Sequence, residues 1–446
     1  MTQDAATEQV ALEPRGADDG AYARGARILS LGIASTGVFT FAYFAVASHV
    51  LEPQQYGAIA FLWSVLFVVM SVIYRPVEQL LSRTIATRRA VGADGDHPLR
   101  VPLTIQASFA LLFLVVAFAF RGPLEDRLES DALFLVFVGA ALAYAASYFA
   151  RGYFAGHQWF ALYGGLVLFE SVARILFPVA VAVGLLSGQT AVALGILAAP
   201  FASLLVVPAA LLRHRRRTTG AAPPLPAAAA GKDRSMREGA DFAASVALVQ
   251  LAEQTLLNVA VLTVAASAGN LLAGVVFNAF MIARAPLQLF QSIQTSLLPH
   301  LAGLEATEGR EAFSRAIRVT VLAIAGFAAA ITLGLLVLGP FAMDLLFDEA
   351  YDYGRLGLAA VGVGMGLHLV GGTLNQAALA RGHARLAAGA WLVAAAAFVV
   401  WMIVPVIDDQ LVRAEIGYLG AAALLCALLV GVYRRGGTPV APVVTG

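Results

Sequence analysis

One apolar stretch of this sequence carries an arginine that a proline follows at once, with further polar residues beyond it. Four residues recur at i, i+3, i+4 and i+7 and therefore share one face of a helix: Arg75, Glu78, Gln79 and Ser82. A guanidinium group is permanently charged and presents a planar fork of donors, so it suits a phosphate or diphosphate. We expect Arg75 and Gln79 to bind substrate; the alternative is that Arg75 extends to the membrane interface.

A second stretch repeats this combination further along the chain. Its polar residues recur at i, i+4, i+7 and i+11 on one helical face: Arg284, Gln288, Gln291 and Thr295. Each arginine is followed within two residues by a proline, Pro76 directly after Arg75 and Pro286 two residues after Arg284. Each proline is expected to bend its helix and free a carbonyl. We expect Arg284, Gln288 and Gln291 to bind substrate as well, unless Arg284 also extends to the interface.

A pair of opposite charges lies in another apolar stretch, where Glu170 and Arg174 are four residues apart. Charges at membrane depth cost several kcal/mol unless they are paired or face water. One interpretation is an ion pair within the helix, which lowers its own insertion cost. The other is a cavity-facing pair, in which Arg174 is a third anion contact and Glu170 binds a coupling proton or cation.

Four polar residues lie together in a further apolar stretch. Gln250, Gln254 and Asn258 recur at i, i+4 and i+8, and Glu253 lies beside them. The pattern indicates the wall of a wet, substrate-binding cavity, the alternative being hydrogen bonds between helices. Glu253 is the second candidate for binding a coupling ion.

Other chemistry-bearing residues are few. We interpret Trp159 and Tyr163 as interfacial anchors and His368 as a satisfied interior histidine rather than a proton relay. The sequence shows no nucleotide-binding loop, no paired Cys/His metal spacing and no nucleophile elbow, and Cys426 is its one cysteine. We therefore expect no catalytic residue, metal or organic cofactor.

The elements that must position these residues follow from composition. The chain has 446 residues, of which 60% are hydrophobic and 13% charged, against about 25% charged in a typical soluble domain. This composition excludes a soluble enzyme, a nucleic-acid-binding module and a disordered chain. Long unbroken apolar runs also exclude a β-barrel. We predict an all-α polytopic membrane protein with about 12 transmembrane helices of ~20 residues or more, at roughly 27–50, 56–80, 101–120, 132–150, 159–184, 190–212, 239–265, 270–297, 315–338, 356–380, 385–406 and 413–433.

The turns between these spans alternate in charge. One set is rich in arginine, as at Arg83 and Arg151, whereas the alternate set carries acids, as at Glu125 and Asp348. Arginine-rich turns are expected in the cytoplasm. The pattern predicts a multi-pass protein of the cell membrane with both termini cytoplasmic.

The sequence between the sixth and seventh spans has the composition of a linker, basic at first and then rich in proline and alanine. Together with the repeated arginine–proline motif, it indicates two six-helix lobes related by a parallel pseudo-twofold repeat. The predicted organisation is a disordered cytoplasmic tail (1–26), an N-terminal lobe (27–212), a cytoplasmic linker (213–238), a C-terminal lobe (239–433) and a second cytoplasmic tail (434–446).

Three short motifs connect the chain to a known family. These are Leu51-Glu52-Pro53-Gln54-Gln55-Tyr56-Gly57, the segment Ser296-Leu297-Leu298-Pro299-His300-Leu301, and Leu345-Leu346-Phe347-Asp348-Glu349-Ala350-Tyr351. The chain thereby resembles the polysaccharide and lipid-linked oligosaccharide flippases (O-antigen type) of the multidrug/oligosaccharidyl-lipid/polysaccharide (MOP) exporter superfamily. Asp348 replaces a glycine that is usual in that family. Related lipid-flipping members place cavity arginines where Arg75 and Arg284 stand.

The resemblance implies a flippase that moves a polyprenyl-phosphate- or diphosphate-linked glycan to the outer leaflet by alternating access, for cell-surface polysaccharide synthesis. Its partners would be the lipid-linked glycan and membrane lipids, with glycan-assembly enzymes as further candidates and no nucleic acid. A small-molecule or drug exporter of the same superfamily is the main alternative. A membrane glycosyltransferase or glycan polymerase, which needs a catalytic group on a substantial outer loop, and a structural scaffold protein rank lower.

Overall fold

The structure, a computed structural model, describes residues 32, 35–90, 99–208, 212, 236–284, 309–381 and 383–435. These residues form helices and short connections, with no strand among them. The predicted tail 1–26 and most of the linker 213–238 lie outside the described residues, as do all but the first two residues of the tail 434–446.

The helices of the first half follow the predicted spans. They are α1 (35–50), α2 (Pro53–Val69), α3 (Arg75–Ala90), α4 (Arg100–Ala119), α5 (Arg121–Leu128), α6 (Asp131–Gly156), α7 (Phe160–Ala182) and α8 (Gly188–Leu204). The short helix α5 lies where the prediction has only a turn. Helix α6 runs six residues beyond its predicted end at 150, so Arg151 belongs to the helix and not to a basic turn.

The helices of the second half are α9 (Met236–Ala268), α10 (Asn270–Arg284), α11 (Gly309–Leu346), α12 (Arg355–Ala380), α13 (Ala384–Ile403) and α14 (Gln410–Arg434). Within the described part of the chain, ten helices are long and apolar enough to cross a membrane, with α2 and α3 counted as one. The all-α membrane fold predicted from composition is thereby confirmed.

The helices pack into two lobes. In the first lobe α6 contacts α3 and α8, and α8 also packs along α7. In the second lobe α12 packs against α11 and α14, and α9 packs along α13. Helix α9 also contacts α2 and α3, so it forms the seam between the lobes.

A π-helical turn, Met70–Tyr74, joins α2 to α3. The backbone N–H of Arg75 bonds to the carbonyl of Met70, five residues earlier. Pro76 has no N–H to donate, and its ring would press on the carbonyl of the preceding turn in a regular helix. The wider turn accommodates the proline, so the helix continues where a bend is predicted.

At one end of the bundle, hydrogen bonds between turns join the two lobes. This end comprises 51–54, 127–130, 265–271 and 347–353, and we call it the acidic end because three of these four segments carry carboxylates. The Asn270 amide at the start of α10 donates to the Arg127 carbonyl (2.9 Å) and to Glu129 Oε1 (2.8 Å). In return Arg127 donates to the carbonyl of Ala265 at the end of α9 (3.1 Å). These bonds connect the end of α5 to α9 and to α10.

The motif around Tyr56 and Gly57 seals the same end. The Tyr56 hydroxyl donates to the Asn278 side chain, and the Tyr56 ring lies 4.8 Å from that of Tyr351. A side chain at Gly57 would overlap the Asn270 backbone, so only glycine allows α2 and α10 to approach this closely. The motif therefore holds the lobes together.

Candidate substrate site

The polar face predicted on α3 lines a cavity. The cavity has a volume of about 370 Å³ and is open to its surroundings; its lining residues are Glu78, Gln79, Ser82, Arg83, Ala86 and Ala155. Gln79 is exposed here. Ala86 lies about 50 Å along the helix from Pro53, at ~1.5 Å per residue, so the cavity lies far from the acidic end.

Arg75 lies one turn before this cavity and reaches across the seam. Its Nη1 donates to Gln250 Oε1 on α9 at 3.4 Å, and Gln250 Nε2 donates to Glu253 Oε2 at 3.2 Å. All three side chains are half-buried. The sequence pattern predicts a polar face at Arg75 and another at Gln250 and Glu253. The structure brings these two faces together.

Glu78 is held by a residue that sequence reasoning assigned elsewhere. The Tyr163 hydroxyl donates to Glu78 Oε1 at 2.7 Å. Trp159 is buried and packs against Phe154. The interpretation as an interfacial anchor is therefore wrong for Trp159, which packs in the interior. For Tyr163 it stays a prediction, and the hydroxyl of this residue bonds to the cavity wall.

Glu170 and Arg174 form the ion pair that was one of the two predicted alternatives. Arg174 Nη2 lies 3.4 Å from Glu170 Oε1, and the residues are 2% and 3% exposed, respectively. Arg174 also donates to Thr40 (2.9 Å) and Tyr144 (2.8 Å), and its guanidinium carbon lies 4.4 Å from the centroid of the Trp63 ring. Both terminal nitrogens are therefore already bonded to protein groups.

Arg151 completes this cluster, and sequence reasoning did not place it there. Its Nη2 lies 2.6 Å from Glu170 Oε2, which also accepts a bond from Ser147 at 3.0 Å. The guanidinium carbon of Arg151 lies 4.4 Å from the Tyr148 ring centroid. The apolar sequence that continues to Phe154 was the available signal, since it extends α6 past Arg151.

In the second lobe, the polar residues of α9 contact Arg284. Arg284 Nη2 donates to Asn258 Oδ1 at 3.4 Å, and Asn258 Nδ2 donates to Gln254 Oε1 at 3.0 Å. Gln254 and Asn258 are buried, whereas Arg284 is half-buried. Hydrogen bonding between helices, the alternative to a wet wall, is the arrangement seen at Asn258. Gln288, Gln291 and Pro286 lie outside the described residues.

His368 is an interior residue beside this group. Its ring is 5.3 Å from that of Trp391 and 6.4 Å from that of Tyr418, and it is 2% exposed. Its Nδ1 has no hydrogen-bond partner within the described ranges. The prediction of an interior histidine is confirmed, but its hydrogen bonding is incomplete at this atom.

The polar residues of the first lobe and those around Arg284 in the second lobe differ in their balance of charge. The first lobe and its seam bring together three arginines and three glutamates: Arg75, Arg151, Arg174, Glu78, Glu170 and Glu253. Arg284 contacts amides, and in the described part of the chain no carboxylate forms an ion pair with it. Among the same residues, no group of three His, Cys, Asp or Glu side chains is placed to hold a metal ion.

Comparison with known proteins finds the fold but no close relative. No family model and no curated protein matches the sequence. An inward-facing multidrug resistance MATE family transporter of the MOP superfamily is 12% identical, with a TM-score of 0.70 over 92% of this chain and 99% of that one. An outward-facing structure of such a transporter is 13% identical, with a TM-score of 0.58 over 95% and 98%.

A third solved structure is a MOP superfamily transporter from Pyrococcus furiosus, described as having a binding pocket of reverse polarity that suggests a different function. It is 14% identical, with a TM-score of 0.62 over 93% of this chain and 94% of that one. The chain therefore has the two-lobed fold of the MATE transporters of the MOP superfamily, the superfamily to which the sequence motifs point.

Proposed function

We propose that this protein is a membrane transporter that exports a substrate bearing an anionic group by alternating access. The observation that carries the proposal is the pair Arg75 and Arg284. Each lobe contributes one arginine, and both bond to α9 through a neutral amide rather than a carboxylate. Guanidinium groups bonded in this way keep their charge available to a ligand.

The proposed direction of transport follows from the two ends of the molecule. The lobes are sealed at the acidic end, whereas the open cavity next to Arg75 lies toward the opposite end. We call this the basic end, because the arginine-rich turns, such as that after Arg83, belong to it. The higher similarity to an inward-facing than to an outward-facing transporter supports the same state. With the basic end in the cytoplasm, substrate enters there and leaves at the acidic end.

A small molecule is the substrate class that the comparisons favour, because two of the similar structures are multidrug resistance transporters. Arg284 in the second lobe forms no ion pair with a carboxylate of the described residues, which supports an anion rather than a cation as the ligand. The reverse-polarity pocket described for the Pyrococcus protein supports the view that this fold accommodates pockets of different charge.

A lipid-linked glycan is the second candidate substrate. It is favoured by the open cavity one turn beyond Arg75, which is lined by the exposed Gln79 and the half-buried Ser82. Arg75 would bind the phosphate, and the amide and hydroxyl would bond to sugar while the polyprenyl tail stays among membrane lipids. Enzymes that assemble the glycan would then be partners.

A single experiment separates these candidates. Cells that lack the protein are compared with cells that carry wild type, Arg284→Gln, or the exposed control Arg385→Gln. Small anions and lipid-linked glycans are quantified by mass spectrometry. A membrane-impermeant probe then shows in which leaflet of the membrane the lipid-linked glycan resides. We expect an anionic small molecule to accumulate inside cells without the protein and with Arg284→Gln. Precursor trapped on the cytoplasmic leaflet would instead identify a flippase, and no change in either pool would refute both.

A further inference from the structure

Glu253 and Arg75 are opposite charges that face each other across the seam without direct contact. Gln250 lies between them, accepting from Arg75 at 3.4 Å and donating to Glu253 at 3.2 Å. A single amide side chain therefore separates the two opposite charges. Of the five N–H donors of a guanidinium group, Arg75 uses one on a described residue. This leaves the arginine partly neutralised but largely unbonded.

The Glu170 cluster shows what a permanent ion pair in the same lobe looks like. There the carboxylate accepts directly from Arg151 at 2.6 Å and from Ser147 at 3.0 Å, and its side chain is almost fully buried. The contacts of Arg75 are longer, pass through an amide and are half-buried beside an open cavity. Long bonds of this kind are weak and exchange with other partners at low cost.

We propose that Glu253 is an internal counter-ion of Arg75, which the anionic group of an incoming substrate displaces. This inference rests on the proposed function, since it requires an anion at Arg75. A phosphate or diphosphate would bond to the free donors of Arg75 and take the place of the Gln250 amide. Glu253 then swings away from the new negative charge, because like charges at this distance repel.

The exchange has a second effect on the seam. The bond from Arg75 to Gln250 joins α3 of one lobe to α9, which packs along α13 of the other lobe. Substrate that replaces this bond removes one tie between the lobes at the level of the cavity. Anion binding thereby favours the lobe movement that alternating access needs.

The test measures binding of inorganic diphosphate to the full-length protein in nanodiscs. Wild type is compared with Glu253→Gln, Arg75→Gln, the double variant and Glu311→Gln, an exposed control with the same chemical change. We expect Glu253→Gln to bind diphosphate about ten-fold more tightly, because the competing charge is gone while the shape is kept. Arg75→Gln should abolish binding with or without the second change, and Glu311→Gln should match wild type.

Each other result overturns a defined part of the proposal. Unchanged or weaker binding by Glu253→Gln, with binding still lost in Arg75→Gln, refutes the counter-ion and leaves the proposed function standing. Diphosphate binding that is unchanged in Arg75→Gln refutes both the counter-ion proposal and the proposed function. Should Glu253→Gln fail to elute as a monodisperse protein, Gln250→Ala takes its place, with tighter binding expected because the bridge to Glu253 is broken.

A parallel titration with farnesyl diphosphate separates the two sources of the anion. Tighter binding of the lipid-linked than of the inorganic diphosphate identifies a lipid headgroup as the displacing anion. Equal binding identifies a free phosphate compound. For both ligands, Glu253→Gln is expected to raise the binding affinity by the same factor.

Discussion

The buried cluster around Glu170 and the amide-held arginines of the seam show two uses of charge at membrane depth. In the cluster, Glu170 lies between Arg151 and Arg174, and the hydrogen bonds are internal. At the seam, Arg75 and Arg284 contact the amides Gln250 and Asn258. An arginine at membrane depth is therefore a poor indicator of a binding site by itself. The chemical type of its partner separates a structural ion pair from an arginine for which we propose a ligand.

Removing the central carboxylate should produce the largest effect on stability. Glu170→Gln leaves two buried guanidinium groups without their counter-charge, which costs about 3–5 kcal/mol. We expect a large fall in the melting temperature of the detergent-solubilised protein, measured by scanning fluorimetry. Glu311→Gln, an exposed change of the same type, serves as the control. A melting temperature equal to that of the control would remove the distinction between the two regions.

In contrast to Glu170→Gln, Arg284→Gln should reduce transport strongly and stability only slightly. Its bonded partner is the neutral Asn258, so the loss of one long hydrogen bond should cost only about 1 kcal/mol of stability. Export of the anionic substrate should fall at least ten-fold, measured as flux in proteoliposomes. A variant that loses stability and transport in parallel would assign Arg284 to the structural class.

Asn258→Ala should sharpen the comparison through an intermediate effect. The change removes the amide that positions Arg284 but keeps the charge. We expect a three- to ten-fold rise in KM for the exported anion with little change in kcat, because orientation and not chemistry is lost. Initial rates over a range of substrate concentrations measure this, and Thr255→Ala on an adjacent face of α9 is the matched control. An unchanged KM would show that Arg284 needs no positioning by α9.

Tyr163→Phe should produce the smallest effect. The hydroxyl bond to Glu78 is worth about 0.5–1.5 kcal/mol, and its loss frees a carboxylate that lines the cavity. We expect a small fall in melting temperature and a two- to three-fold weaker affinity for the anion, since Glu78 gains freedom to approach Arg75. Tyr433→Phe on α14, which removes a hydroxyl bond to Ser314 Oγ (3.3 Å) away from the cavity, is the control change. Stronger anion binding would contradict this account.

The sequence predicts the architecture well because membrane spans are long and apolar. The face of Arg75, Glu78 and Gln79 follows from helical periodicity alone, and the structure places two of these three side chains on one cavity. Arg151 could not be identified as the partner of Glu170, since that contact joins α6 to α7 and depends on where α6 ends. Periodicity within a helix indicates which residues share a face, but it does not indicate which neighbouring helix that face meets.

The π-helical turn Met70–Tyr74 determines the direction about the helix axis in which the side chains of α3 point. One additional residue in a helix turns all later side chains by roughly 100° about the axis. The turn therefore lets α2 present Tyr56 and Gly57 to α10 while the same continuous rod presents Arg75 to Gln250. A regular α-helix of the same sequence would rotate Arg75 away from the seam. The π turn absorbs one residue, so deleting one residue within 70–74 would restore a regular helix and keep Arg75 facing Gln250, whereas adding one residue elsewhere in the helix would turn the cavity side chains away from it.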